Sequence, residues 1–232
     1  MSVFFRRRGE APPKKLASDY AIGESVFLIE NGSPVEYLVV HQGLPSSMYD
    51  SSCNGTWLLR KDIYTKRDQA DEVNDYERTS IHSLLNGSFL RLFDSNIQNA
   101  IKQIKLPYHK GTGSDGSIKS GTSGLSTKVF LLGGYEVGWT TSKDEYLPKD
   151  GAALSYFTGT SSVLTSKRIG YYNGTATGWW FRSPYTGSDD GFFGSSNGGN
   201  LASVGSLVSY GVRPALILDS NTKFNIETNI MS

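Results

Sequence analysis

Side chains able to do chemistry are few and scattered in these 232 residues. The three histidines, His41, His82 and His109, lack the close spacing of a metal site, and no His-Glu-x-x-His occurs. Each reads as a surface or hydrogen-bonded structural histidine. Cys53 lies between Ser52 and Asn54 with no histidine nearby in the chain. A catalytic thiol needs a base or a positive field to lower its pKa, so Cys53 reads as inert. A single cysteine also excludes an intrachain disulfide and a Cys-rich zinc site. Asp189-Asp190-Gly191 is acidic, but the spaced carboxylates of a calcium loop are missing, and the segment reads as a turn with solvated acids. Gly111-Thr112-Gly113 runs into more loop, without the Gly-Lys-Ser/Thr ending of a phosphate loop. No catalytic residue, metal or cofactor is expected.

The informative cluster is Gly178-Trp179-Trp180-Phe181-Arg182-Ser183-Pro184-Tyr185. Strand alternation sends Trp179 and Phe181 to one face and Trp180 with Arg182 to the other. Two uses are open: core anchors for a loop-rich half-domain, or, with Tyr185, rings that stack on sugars.

Elements to position this cluster follow from pattern. Ser25–Glu30 and Val35–His41, around Asn31-Gly32-Ser33-Pro34, read as a β-hairpin, with a third strand over Thr56–Arg60. Ile81, Leu84, Leu85, Phe89 and Leu92 mark one helix face, with Asn86-Gly87 breaking or capping it midway. Asp94 or Ser95 caps a second helix with a stripe of Ile97, Ile101 and Ile104, ended before Pro107. Residues 111 to 124 read as a flexible low-complexity loop, Val129–Leu132 as a short buried strand, and Gly151–Phe157 as one helical turn or two. Beyond that the chain reads as short strands and turns, closing at Gly211–Leu218. Hairpin, two helices, then strands and loops imply an α+β fold rather than βαβ alternation.

Composition bounds the rest. Lys and Arg number 23 against 22 Asp and Glu, a formal charge of +1, which argues against an electrostatic nucleic-acid binder. No apolar run approaches a membrane span, and Met1–Arg8 lacks the order of a secretory signal. From Gly151 on only nine residues are charged, while 20 of the 26 glycines lie at or after Gly111. We read a single domain over residues 21–232 with a loop-dominated second half. Residues 1–20 read as an extended arm, either solvated or a docking strap with Phe4 and Phe5 as anchors beside Arg6, Arg7 and Arg8.

Trp179–Pro184, followed about 30 residues later by Tyr210-Gly211-Val212-Arg213-Pro214-Ala215-Leu216, resembles a family of domains of unknown function found in gut Firmicutes and their phages. The strand Glu36–Val40, the helix Ser83–Phe89 and the strand Val129–Leu132 agree with it. The family is similar to the C-type-lectin-like fold of formylglycine-generating enzymes and of variable phage tip proteins. That fold implies a twisted antiparallel sheet, two flanking helices and long loops. The resemblance makes Trp179, Trp180, Arg182 and Arg213 structural and leaves residues 185 to 209 as a recognition stretch. Formylglycine generation needs paired cysteines and calcium lectins need Glu-Pro-Asn or Trp-Asn-Asp; neither is present here.

The resulting expectation is a non-enzymatic phage virion protein, a capsid decoration or tail-associated subunit made in the host cytoplasm. It would dock on other virion proteins through its arm, form a homo-oligomer, and show a lectin-like surface to a host glycan or protein. Tyr185, Asp189, Asp190, Phe192, Phe193, Asn197 and Asn200 are the expected ligand contacts. Neither nucleic acid nor membrane insertion is expected. The alternative is a bacterial carbohydrate- or protein-binding module, cytoplasmic or at the cell surface, outside any virion.

Overall fold

A computed structural model describes residues 13–69, 74–112 and 114–231. Ser25–Glu30 pairs antiparallel with Ser33–Gly43, Glu30 opposite Ser33. Asn31 and Gly32 are left as a two-residue turn with φ of 48° and 80°. A type I′ hairpin turn requires that handedness at both positions, and Asn-Gly supplies it with least strain. The sheet continues through Gly55–Arg60 and Ala215–Leu218 to Val129–Phe130, antiparallel throughout.

A second five-stranded sheet runs in the order Leu201–Gly205, Gly191–Ser195, Trp179–Pro184, Tyr210–Val212 and Thr65–Arg67. Its one parallel pairing joins Trp179–Pro184 to Tyr210–Val212. The chain passes between the two sheets at Arg60 to Thr65 and again at Val212 to Ala215. Arg213 sits at the second crossing and fastens it to the first: its Nε donates to the Arg60 carbonyl at 3.0 Å, and the Arg60 amide donates to the Pro214 carbonyl at 2.9 Å.

The strands Gly55–Arg60, Ala215–Leu218, Trp179–Pro184 and Gly191–Ser195 are buried on both faces, so neighbouring residues enter different cores. One core holds Trp180, Phe192, Leu58 and Leu216. The other holds Trp179, Phe181, Phe193, Trp57 and Ile217. The first is covered by the helical segment 80–92 and by the helix Ser95–Ala100, through Ile81, Leu85, Phe89 and Ile97. The fold is α+β, mostly strand, with three α-helices among the described residues.

Several local expectations change. The first helix does not stop at Asn86-Gly87; it widens into a π turn over Leu85–Phe89. The freed geometry lets Asn86 reach across, its Nδ2 donating to the Val129 carbonyl at 2.9 Å and its Oδ1 accepting from the Lys128 and Val129 amides. Asp94 caps the second helix by accepting from the Ile97 amide. That helix ends at Ala100, because Ile101 bridges to Leu218 and Ile104 belongs to a strand paired with Leu125–Thr127. The loop expected from 111 to 124 contains a strand, Ile118–Lys119, paired with Tyr108–His109. Gly151–Phe157 forms no helix, whereas Ser161–Arg168 does, in a Ser/Thr-rich stretch with no apolar stripe to announce it.

The arm is shorter than expected at its inner end. Lys14–Leu16 pairs with Lys223–Asn225, and Ala17 and Tyr20 are buried in the first core. Phe4, Phe5, Arg6, Arg7 and Arg8 lie outside the described residues.

Candidate functional site

Arg182 lies at the centre of a fully buried polar cluster. Its Nη1 and Nη2 reach both oxygens of Glu136, the second at 2.7 Å. Its Nε donates to the Pro107 carbonyl, and its remaining N–H groups donate to the carbonyls of Leu131 and Asp150, all at 3.1 Å. All five guanidinium donors are thereby used. Glu136 also accepts from the Tyr49 hydroxyl at 2.7 Å and from the Gly133 amide at 2.9 Å. Ser183 donates to Asp150 at 2.9 Å, and burial pushes the Asp150 carboxyl up to about 6. With both side chains of the ion pair 0% exposed, this cluster joins backbone from three segments, at Pro107, residues 131–133 and Asp150, and lies out of reach of a ligand.

The stretch from 185 to 209 is not one open loop. Phe192 and Phe193 are both fully buried, which corrects their assignment as ligand contacts. The reason is their strand: Gly191–Ser195 is an inner strand of the second sheet, so its two adjacent rings enter opposite cores. Phe192 meets Trp180, and Phe193 meets Tyr185 edge-on at 5.5 Å between centroids. Tyr185 is half-buried and, with Asp190, lines a shallow cleft of about 130 Å³. Asp189 is exposed beside it, on a turn tied down by Asn74, whose Nδ2 donates to the carbonyls of Tyr185 and Ser188. Asn197 borders a different depression with Lys66 and Tyr210. Asn200 borders a third. The expected contact residues are thus distributed over separate surfaces.

That third surface is a groove of about 340 Å³. One wall is the helix Ser161–Arg168, presenting Ser161, Leu164, Thr165 and Arg168, a single face at helical spacing. The other wall is the segment from Gly138 to Lys143. Asn200 closes an end. Its turn is pressed against the helix: Gly199 has φ of 78°, and a Cβ there would lie 2.1 Å from the Thr165 carbonyl oxygen, so only glycine fits.

Arg168 decides the character of this groove. It is 2% exposed, its Nε donates to the Val137 carbonyl at 2.7 Å, and its guanidinium lies 3.7 Å from the centre of the Trp139 ring. Its Nη2 is buried without a partner, as is the Trp139 indole N–H. No carboxylate forms an ion pair with Arg168 among the described residues. Burial brings its pKa down to about 10, so it stays charged at neutral pH. An unpaired buried cation is costly by several kcal/mol, of which stacking on a tryptophan returns about 2 or more once desolvated. The main chain holds it there: the Arg168 carbonyl accepts from the Trp179 indole at 2.7 Å and from Ser195 at 3.1 Å. Around it stand the Lys143 ammonium, hydroxyls of Thr140, Ser142 and Ser161, and the Asn200 amide, with no acidic side chain among the described residues that line the groove. Such a surface can hold an acceptor-rich ligand.

Arg168 and Trp139 were missed by sequence reasoning. A signal did exist in retrospect: a lone Trp-Thr-Thr-Ser-Lys run after Gly138, and an arginine ending a Ser/Thr-rich segment poor in acids.

The molecule is therefore an α+β domain, built mainly on two five-stranded, largely antiparallel sheets, that carries a donor-lined groove beside the buried Arg182–Glu136 pair. Residues 54–220 match the model of a family described as a domain of unknown function (DUF6273), and the chain belongs to that family. No curated protein and no solved structure matches the chain.

Proposed function

We propose that this chain is a non-enzymatic binding module of a phage virion, a capsid decoration or tail-associated subunit presenting a C-type-lectin-like surface to a host-cell glycan or protein. The placement in a virion rests on the resemblance of Trp179–Pro184 and Tyr210–Leu216 to domains from gut Firmicutes and their phages. The binding role rests on one observation above all, the groove at Arg168, where buried donors stand ready on a rigid frame. A non-catalytic role is supported by Cys53, whose buried thiol donates to the Lys105 carbonyl and is pushed up to about 12, far from a usable thiolate. Docking through the arm and self-assembly remain part of the proposal. Electron microscopy of purified particles with labelled antibody tests the location; absence of the protein from particles rejects it. A glycan array with product analysis tests the role: bound ligand without turnover supports a binding module, and product release overturns it.

A further inference from the structure

We infer that the groove between Ser161–Arg168 and Gly138–Lys143 is a site for an acidic saccharide, its carboxylate seated on Arg168. This rests on the binding-module reading above and names the ligand class. A buried guanidinium in a folded protein normally has its donors satisfied. Arg182 meets that rule completely, whereas Arg168 and Arg213 each keep an unpartnered, solvent-shielded nitrogen, and of these two Arg168 is the one whose side chain lines this groove. A ligand carboxylate is the acceptor whose charge and geometry complete it. Gly138 lets the guanidinium lie this close to the groove wall, since even a Cβ there would come within 3.2 Å of Nη2. The Trp139 indole N–H supplies a second unmet donor, from the opposite wall.

An inorganic oxyanion would satisfy the charge and leave the rest of the surface unused. Thr140, Ser142, Ser161 and Asn200 line the groove as neutral hydrogen-bonding groups around that centre, which is the pattern of a polyhydroxylated ring bearing one acid. The Lys143 ammonium, on an exposed side chain at the rim, adds attraction without fixing geometry.

The test is calorimetry and ¹⁵N-correlated NMR on the full chain, with glucuronate as probe and glucose and inorganic phosphate as comparison arms. Glucuronate is expected to bind at least about tenfold tighter than glucose, as one charge-assisted contact requires. It should also shift one tryptophan indole signal, assigned to Trp139 by Trp139→Phe. Arg168 is buried, and replacing it risks the fold. The variants are therefore Thr140→Glu, which offers Arg168 an internal carboxylate, and Lys143→Ala, both at exposed positions. Each should weaken glucuronate binding without lowering thermal stability. Equal affinity for glucose and glucuronate, no indole shift with glucuronate, or unchanged affinity in both variants overturns the inference. So does phosphate binding as tightly as glucuronate with the same shift, which marks a plain oxyanion site. A neutral array glycan bound equally by Thr140→Glu would sink this assignment and spare the module reading; a chain that binds no glycan and no host protein sinks that reading itself.

Discussion

Replacing Glu136 by Gln tests whether the Arg182 cluster holds the domain together. Each Glu136 oxygen accepts two hydrogen bonds: Oε1 from Arg182 and Tyr49, Oε2 from Arg182 and Gly133. Glutamine has nearly the same size but turns one oxygen into an NH₂ group. Whichever way the amide faces, a donor then meets two donors. The Arg182 guanidinium, 0% exposed, also loses the carboxylate that neutralises it. Breaking a buried pair from one side costs about 3–5 kcal/mol, which for a chain of this size lowers the melting temperature by roughly 10 °C. Glu36→Gln is the internal control. Its partner Lys61 is 49% exposed, and such a pair contributes about 0–1 kcal/mol. Urea unfolding followed by tryptophan fluorescence and circular dichroism measures both. If the two variants fall within about 1 kcal/mol of each other, the reasoning about the cluster is wrong.

Other outcomes follow from the same geometry. Phe192→Ala and Phe193→Ala should each lose about 3–5 kcal/mol in chemical denaturation; a mild loss would return these rings to the surface. Asp150 in the folded chain holds its proton up to a pH of about 6, against 3.8 for the ordinary carboxyl. Between those values the folded state binds a proton that the unfolded state has released, so stability falls as pH rises through this window, by about 3 kcal/mol. Asp150→Asn should remove that slope. His41, His82 and His109, all lowered by burial, act in the opposite sense near their ordinary pKa of 6.5, so the difference between wild type and variant isolates Asp150. Cys53 should react with a disulfide reagent at pH 8 only as fast as the chain unfolds, and prompt labelling in native buffer would contradict its burial.

What the sequence disclosed depended on how local the cause was. The Asn31-Gly32 hairpin was plain because two adjacent residues dictate the turn and the flanking β-branched runs agree with it. Asp94 as a cap and the stripe Ile81, Leu85, Phe89 were legible for the same reason. Ile104 was misplaced because its spacing from Ile97 and Ile101 fits a helix equally well, and only pairing with Thr127, a contact distant along the chain, makes it a strand. Phe192-Phe193 misled because glycine and serine neighbours look like exposed loop. Two adjacent rings in a strand, however, must point to opposite faces, and both are hidden only when a strand is covered on both sides. Nothing local reports that covering. Trp179-Trp180 raised the same question, which residue type left open and the resemblance turned toward the core; Phe192-Phe193 had no such guide.

The two guanidiniums explain why site and scaffold are so hard to separate from residue type alone. Arg182 and Arg168 are both buried, and both reach backbone carbonyls. They differ in whether each N–H finds an acceptor, and that depends on the fold. One turn links them: Glu136, within it, neutralises Arg182; the next residue's carbonyl, Val137, accepts from Arg168; and Trp139, two further on, stacks on Arg168. The turn is closed by amides of Val137, Gly138 and Trp139 donating back to Gly133, Tyr135 and Gly134. A saturated arginine below therefore fixes the position of an unsatisfied one above. The groove keeps its shape without a ligand because the cluster beneath it has no freedom left, which is the condition for donors to be aimed before anything arrives.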